Sequence, residues 1–186
     1  MCGRYSLDAD IDELIDRYKA ILKERAVYNM EEVFPTDIQP IVVNRDKQEI
    51  VFAKWGFYTD FTNRPIINAR AETINEKTLF RKHFLLGRCL VPATSFFEWE
   101  KNDGKKIKRR ISIEKEKIFS LAGLMDESGS FTIITTSANQ QMKGIHDRMP
   151  VIIQKDKEEI WLNHNIKNPN QLNSMLIPYN LPLVID

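Results

Sequence analysis

From Pro40 onward the chain is divided into short runs of apolar or alternating residues, separated by turn-forming residues. Runs of this length, rich in Val, Ile, Phe and Trp, are typical of β-strands. Many short strands joined by turns favour a strongly curved sheet or a barrel. The predicted strands cover residues 41–43, 49–55, 88–91, 96–99, 108–113, 118–122, 131–136 and 151–154.

Helical spacing of apolar residues interrupts this pattern in three places. Residues 8–24 form an amphipathic pattern, and Asp8 or Asp10 is suited to cap its start. Residues 75–84 and 155–162 are also predicted to be helical. Because helices and strands interleave, we predict an α+β fold, a single domain over residues 1–186 in which a curved, barrel-like, mainly antiparallel sheet is flanked by helices.

The composition is that of an ordinary soluble protein. Of the 186 residues, 42% are hydrophobic and 28% charged, and no apolar run approaches the ~20 residues of a membrane span. There is no sign of a secretory signal, and the two cysteines, Cys2 and Cys89, are expected to stay thiols in a reducing cytoplasm. No spacing of His and Cys suits a metal, so we predict no metal, no cofactor and no membrane, and we expect a monomer.

The charges nearly balance. With 27 basic and 26 acidic side chains, the molecule as a whole presents no electrostatic case for nucleic acid, and any such site must be local. The densest basic stretch, residues 101–110, contains the turn signal Asn102-Asp103-Gly104. We interpret it as a solvated hairpin, with a phosphate contact as the alternative.

Cys2 is the most reactive feature of the sequence. Removal of Met1 would leave an α-amine, with a pKa of about 8, and a thiol on the same residue. Such a pair captures aldehydes, because the amine forms an imine and the sulfur then closes a thiazolidine ring. The alternative is that Cys2 is an inert residue at an exposed terminus.

Three separate segments carry further candidates. Asn68 and Arg70 would share a face of an extended segment, where an amide and a guanidinium suit an anionic ligand; otherwise they are a turn-stabilising Asn and a surface Arg. Glu98 lies between Phe97 and Trp99, so its pKa is expected to be raised, unless it is simply exposed on the polar face of a strand.

The third segment contains His146, which precedes a carboxylate and a guanidinium in a predicted loop. This setting suits an imidazole that transfers protons. We interpret His83 and His164 as structural or surface residues, and Cys89 as a small buried hydrophobe.

Together these segments resemble the SRAP family, the abasic-site processing proteins that crosslink themselves to damaged single-stranded DNA. The resemblance spans roughly residues 1–162 and rests on four motifs in the family's order. They are Met1-Cys2-Gly3-Arg4-Tyr5, Asn68-Ala69-Arg70-Ala71-Glu72-Thr73, Arg88-Cys89-Leu90-Val91-Pro92 running into Phe97-Glu98-Trp99, and Ile145-His146-Asp147-Arg148-Met149-Pro150.

The resemblance implies a catalytic set of Cys2, Asn68, Glu98 and His146. The amine of Cys2 would attack the aldehyde of the ring-opened abasic sugar, and its thiol would close the thiazolidine. Weak lyase activity, self-removal of Met1 and association with the nucleoid would accompany this function.

For DNA binding, the resemblance implies that Arg4, Arg70 and Arg148 contact phosphates. Trp55 is expected either to stack on a base or to pack in the core. Where Asn-Val-Ala-Pro is common in the family, this chain has Glu32-Val33-Phe34-Pro35, and the carboxylate is expected to disfavour a nearby phosphate.

Two rival functions use the same residues. An N-terminal-nucleophile amidase or cysteine peptidase would direct the Cys2 thiolate, with His146, at an amide carbonyl. A non-catalytic single-stranded DNA-binding module would leave Cys2 inert.

Overall fold

The computed structural model describes residues 2–186, and Met1 lies outside the described residues. Two long runs of strands are separated by short helices, as expected for an α+β protein. The strands are β1 Tyr5–Ser6, β2 Ile21–Leu22, β3 Ile38–Asn44, β4 Gln48–Trp55, β5 Phe57–Thr59, β6 Thr62–Ile66, β7 Asn68–Arg70, β8 Arg88–Ala93, β9 Ser95–Asn102, β10 Lys105–Ile113, β11 Phe119–Met125, β12 Ser130–Ser137, β13 Arg148–Pro150, β14 Ile152–Ile153 and β15 Leu183–Ile185. The α-helices are α1 Ile11–Tyr18, α2 Thr78–Leu86, α3 Glu158–Leu162 and α4 Pro169–Asn173, and 3-10 turns cover Ala71–Thr73 and Lys155–Lys157.

The larger sheet curves until it meets itself. Its central strands pair antiparallel in the order β4-β3-β8-β11-β12. β12 then returns to β4 as a parallel neighbour, with Ser130 beside Lys54 and Phe131 beside Trp55. This closure confirms the predicted barrel-like, mainly antiparallel sheet.

A second sheet, in the order β1-β9-β10-β15, carries the N-terminus. β1 lies antiparallel to β9 with Tyr5 opposite Phe96, and the Phe97 amide donates to the Arg4 carbonyl at 3.0 Å. These bonds bring Cys2 toward the middle of β9, where Glu98 lies. The β9–β10 turn contains Asp103 and Gly104, both at positive φ, as the turn signal predicted.

The first helix is shorter than predicted. Asp10 caps α1 and forms a capping box with Glu13, but the helix ends at Lys19, which adopts a left-handed conformation with φ of 48°. The predicted continuation of the helix to residue 24 is therefore wrong, because Ile21 and Leu22 pair with β4 instead. The helix predicted over residues 75–84 is displaced to Thr78–Leu86, and the one over 155–162 is confirmed as a 3-10 turn followed by α3.

Arg88 joins the barrel to two helices. Its side chain is fully buried at the start of β8, and its five N–H groups donate to five backbone carbonyls at 2.6–3.1 Å. These carbonyls belong to the C-terminal turn of α2, to the end of α3 and to the loop after α3, namely Phe84, Leu85, Trp161, Asn163 and Ile166. One guanidinium thus supplies hydrogen-bond donors to carbonyl groups at the C-terminal ends of two helices, where the helices themselves provide none.

Candidate active site

Four residues from distant parts of the sequence meet beside β1 and β9. Cys2 precedes β1, Asn68 begins β7, Glu98 lies within β9, and His146 lies in the loop between β12 and β13. Asn68 Nδ2 donates to the Cys2 carbonyl at 3.0 Å, and His146 Nε2 lies 4.0 Å from Glu98 Oε2. All four members of the predicted catalytic set are therefore neighbours.

Cys2 is completely buried. Its thiol donates weakly to the Arg4 carbonyl, with 3.7 Å between sulfur and oxygen. Burial, followed by the negative charge of Glu98, raises the pKa of the thiol well above its usual range. The sulfur is therefore held in its protonated form at neutral pH.

Asn68 is positioned by the parallel pairing of β7 with β12, in which it lies opposite Ile133. Its amide nitrogen is bonded to Cys2, but its amide oxygen, Oδ1, is buried and has no hydrogen-bond partner among residues 2–186. Buried acceptors without partners are rare, because each one costs desolvation free energy. Asn68 thus holds an unused acceptor close to the backbone of Cys2.

Glu98 is a buried acid, with only 2% of its surface exposed. Burial raises the pKa of its carboxyl, and the nearby His146 opposes that rise without cancelling it. A carboxyl with a raised pKa can hold a proton and release it again during a reaction. The prediction of a perturbed Glu98 is therefore supported by its surroundings.

The orientation of His146 is set by its backbone neighbours. Its Nδ1 accepts from the Arg148 amide at 2.9 Å and also lies 2.9 Å from Asp147 Oδ1. One nitrogen cannot accept from the amide and donate to the carboxylate at the same time, so the two contacts require different hydrogen positions, with Nδ1 bare in the first and carrying a hydrogen in the second. Because Asp147 is 88% exposed and well solvated, the amide bond orients the ring and leaves Nε2–H facing Glu98.

Arg4 and Arg148, predicted to contact DNA, each have an acidic partner within the protein. Arg4 Nη1 donates to Glu32 at 2.9 Å, and its guanidinium lies 3.6 Å from the centre of the Phe34 ring. Arg148 forms two hydrogen bonds with Glu72, at 2.6 and 3.0 Å, and another with the Thr135 carbonyl at 2.7 Å.

Arg70, by contrast, is exposed at the end of β7. Its charge, after the stronger effect of the hydrogen bonds from Arg148, helps to lower the pKa of Glu72. Sequence reasoning did not assign a role to Glu72, although it stands within the same motif as Asn68.

Trp55 packs in the core, which is one of the two roles left open by the sequence. It is fully buried, its ring stacks on Phe131 with 6.3 Å between centroids, and its Nε1 donates to the Ile67 carbonyl at 3.0 Å. Tyr5 contacts the ring edge-on at 5.3 Å. In this structure the ring has no face open to solvent.

The remaining candidates lie away from this site. Cys89 is fully buried in β8, His83 Nδ1 lies 3.9 Å from Glu127, and His164 Nε2 lies 3.3 Å from the Arg88 carbonyl. Both histidines line a cavity of about 390 Å³ that none of the four clustered residues lines. Within residues 2–186 there is no cluster of three or more His, Cys, Asp or Glu side chains suited to a metal, and no helix long and apolar enough to cross a bilayer.

The whole chain matches known proteins. Residues 1–184 match the family model described as SOS response associated peptidase (SRAP). Two Bacillus subtilis (strain 168) proteins, "Abasic site processing protein YoqW" and "Abasic site processing protein YoaM", are each 36% identical over 97% of this chain, which corresponds to 88% and 87% of their own lengths. A solved structure of a protein from Bacteroides thetaiotaomicron has a TM-score of 0.86 and 28% identity, covering 99% of this chain and 90% of the other. The chain therefore belongs to the SRAP family.

Proposed function

We propose that this protein processes abasic sites in single-stranded DNA by coupling its N-terminal cysteine covalently to the sugar aldehyde. The observation that carries the proposal is the convergence of Cys2, Asn68, Glu98 and His146 in one buried corner, with a 3.0 Å bond from Asn68 to Cys2. The names of the Bacillus subtilis relatives support the same substrate.

The proposed chemistry loses one water and needs no oxidant. In the abasic sugar, the C1′ hydroxyl passes its proton to water as the C1′–O4′ bond breaks and His146 gives a proton to O4′, which leaves an aldehyde. The α-amine of Cys2, free once Met1 is removed, adds to C1′ to give a carbinolamine. Glu98 protonates the departing hydroxyl, water leaves and an imine forms. The thiol then adds across the C=N bond, and its proton moves to nitrogen.

Asn68 acts as a positioning residue. It fixes the Cys2 backbone through the carbonyl, one bond from the carbon that bears the amine. Its partnerless Oδ1 is placed to accept a hydrogen bond from that amine, which would direct the nitrogen lone pair toward the aldehyde.

The protonated state of the Cys2 thiol favours a mechanism in which the amine attacks first and the thiol last. It disfavours the cysteine peptidase mechanism, in which the sulfur attacks first. A peptidase needs a thiolate as its first nucleophile, whereas burial and Glu98 raise the pKa of this thiol. A neutral thiol is sufficient for the last step, where the imine is already electrophilic. If the imine instead eliminates the 3′ phosphate before sulfur adds, the same intermediate gives weak lyase activity.

The direct test is denaturing electrophoresis of purified protein incubated with a single-stranded oligonucleotide that contains one abasic site. Intact mass spectrometry of the protein would establish that Met1 has been removed. We expect a heat-stable shifted band, which is lost in Cys2→Ala and slowed by about 10²–10⁴-fold in Glu98→Gln and His146→Gln. Cys89→Ala is the matched control for loss of a buried thiol.

The substrate has a matched control as well. An oligonucleotide whose abasic aldehyde has been reduced to the alcohol keeps the phosphates and lacks the electrophile, so it should give no band. Absence of a band with unreduced DNA and protein of confirmed free Cys2 would refute the proposal. Reversible, salt-sensitive binding unchanged by Cys2→Ala would then favour the binding module, and turnover of an amide would favour the amidase.

A further inference from the structure

Two basic side chains that are far apart in sequence converge on a single carboxylate near the active site. Glu32 Oε1 accepts from Arg4 Nη1 at 2.9 Å, and Glu32 Oε2 accepts from Lys108 Nζ at 2.5 Å. Arg4 precedes β1 and Lys108 lies in β10, so β9 separates the two in the sheet. The cations hold the two oxygens of one anion between them.

Aromatic rings fix both cations in place. The Arg4 guanidinium lies 3.6 Å from the centre of the Phe34 ring, and Lys108 Nζ lies 4.2 Å from the centre of the Phe97 ring. These contacts do not depend on the carboxylate, so the two cations would stay close together if it moved away. The side chains of Arg4, Glu32 and Lys108 are 31%, 26% and 40% exposed, which leaves the cluster accessible to a ligand.

The Glu32 side chain can leave both cations while its backbone segment, which also carries Phe34, stays in place. The Val33 amide donates to the Tyr5 carbonyl at 2.7 Å and the Leu7 amide donates to the Met30 carbonyl at 3.3 Å, so the backbone is held on either side of Glu32. Among residues 2–186 the Glu32 carboxylate has hydrogen bonds only with Arg4 and Lys108. Exposed ion pairs of this kind are weak.

We propose that Arg4 and Lys108 form a binding site for a backbone phosphate of single-stranded DNA, and that Glu32 occupies this site in the free protein. A phosphodiester presents two unbridged oxygens, as the carboxylate does. Arg4 is two residues from Cys2, which is about 7 Å along an extended strand, so the phosphate would be close to the reacting nucleotide. This inference rests on the proposed function, because the DNA strand must pass Cys2.

Lys108 is thereby a DNA contact that no sequence pattern distinguishes from the other lysines of its hairpin. Glu32 is an internal competitor that weakens binding, because the DNA must displace it from both cations. Its removal should strengthen binding and make it more sensitive to salt.

The test is fluorescence anisotropy with an undamaged single-stranded oligonucleotide, measured over a range of salt concentrations. We expect Glu32→Gln to bind about two- to five-fold more tightly than the wild type. The plot of log K against log salt should become steeper by about 0.7 for each cation that gains a phosphate. Lys108→Met should abolish both gains when it is combined with Glu32→Gln.

Two neighbours supply matched controls. Glu31→Gln is the control for Glu32→Gln, because it removes a negative charge from the adjacent residue. Lys106→Met is the control for Lys108→Met, because it removes a positive charge two residues away in β10. Neither side chain is close to Arg4 or Glu32 in any ion pair among residues 2–186. If Glu31→Gln tightens binding as much as Glu32→Gln, the effect is one of net charge and the proposal is overturned.

Weaker binding by Glu32→Gln would also overturn it, because Glu32 would then hold Arg4 in its productive position. Crosslinking to abasic DNA at saturating concentration separates this inference from the proposed function. Absence of crosslinking by every variant, together with the expected salt dependence on undamaged DNA, would remove the proposed reaction and keep the phosphate site. Normal crosslinking, together with no effect of Glu32→Gln on DNA affinity or its salt dependence, would keep the proposed reaction and remove the phosphate site.

Discussion

The protein contains two buried charged clusters of very different character. Around Arg88, every N–H of the guanidinium has a carbonyl partner. Around Glu98, the acid has a raised pKa and Asn68 keeps an acceptor without a partner among the described residues. Complete satisfaction of hydrogen bonds is typical of a structural cluster, whereas a perturbed acid beside an acceptor without a partner is typical of a reactive site, which is the role that we propose for the residues around Glu98.

The largest test of this comparison is Arg88→Met. The substitution keeps much of the side-chain volume but leaves five carbonyls without this donor, two of them in fully buried hydrogen bonds, so we expect a loss of about 3–5 kcal/mol in the free energy of unfolding. Urea denaturation measures it. Arg81→Met, at an exposed side chain of α2 that has no ion pair among residues 2–186, should change stability by less than about 0.5 kcal/mol. Equal stabilities for the two variants would show that the hydrogen bonds from the Arg88 guanidinium to the carbonyls do not stabilise the fold.

Trp55→Leu tests whether the indole ring of Trp55 acts as part of the core. Loss of the contacts with Phe131 and of the bond to Ile67 should cost about 2–4 kcal/mol in the free energy of unfolding. Affinity for undamaged single-stranded DNA should stay near that of the wild type, measured well below the unfolding temperature. The opposite result, unchanged stability with weaker binding, would assign Trp55 to base stacking.

Glu72→Gln sharpens the comparison at the edge of the reactive cluster. Glu72 holds Arg148, whose backbone amide orients His146, so the substitution should loosen the imidazole as well as the ion pair. We expect a loss of about 0.5–1 kcal/mol in stability and a severalfold slower crosslinking rate at saturating DNA. The dependence of that rate on pH should change in Glu72→Gln and not in Glu76→Gln, an exposed neighbour. A rate change without any change in the pH profile would contradict the role of Glu72 in positioning His146.

Glu98→Gln should change the free energy of unfolding less than the other substitutions do. At neutral pH it should raise this free energy, whereas Arg88→Met lowers it. Because the folded-state pKa of Glu98 is raised, the native protein binds its proton more tightly than the unfolded chain does. This contribution is fully present below the unfolded pKa and is lost as the pH rises through the folded pKa. The wild type should therefore lose stability relative to Glu98→Gln as the pH rises from about 4, which thermal unfolding across pH would measure. Parallel stability curves would show that Glu98 is not perturbed.

The sequence was sufficient for the elements whose patterns are local. Eight runs of apolar residues predicted the strands of the barrel and the β9–β10 hairpin. They did so because the alternation of apolar and polar residues, and the residue types that favour turns, depend only on neighbouring positions. It was insufficient for β1, β2, β7 and β13, which have only two or three residues each and exist because of their partners. The end of α1 failed for the same reason, since Ile21 and Leu22 keep helical spacing while they pair with β4.

The candidate site divides in the same way. The residue types at Cys2, Asn68, Glu98 and His146 suggested their chemistry, but only the family's motifs linked segments up to 144 residues apart before the fold did. The partners of Arg4 and Arg148 had no local signal, because Glu32 and Glu72 reach them through tertiary pairing. A guanidinium that looks available in a sequence can therefore be committed to a carboxylate in the fold.

The pairing of β1 with β9 has a consequence for synthesis of the chain. The strand that covers the N-terminus begins at Ser95, so nearly ninety residues must be made after Ser6 before its partner exists. At ribosomal rates this takes about 5–20 s. Throughout that interval a passing aminopeptidase can reach the terminus, whereas in the finished protein Cys2 has no exposed surface. The proposed function requires a free Cys2, so removal of Met1 by such an enzyme would have to occur during translation, before the fold closes over this residue.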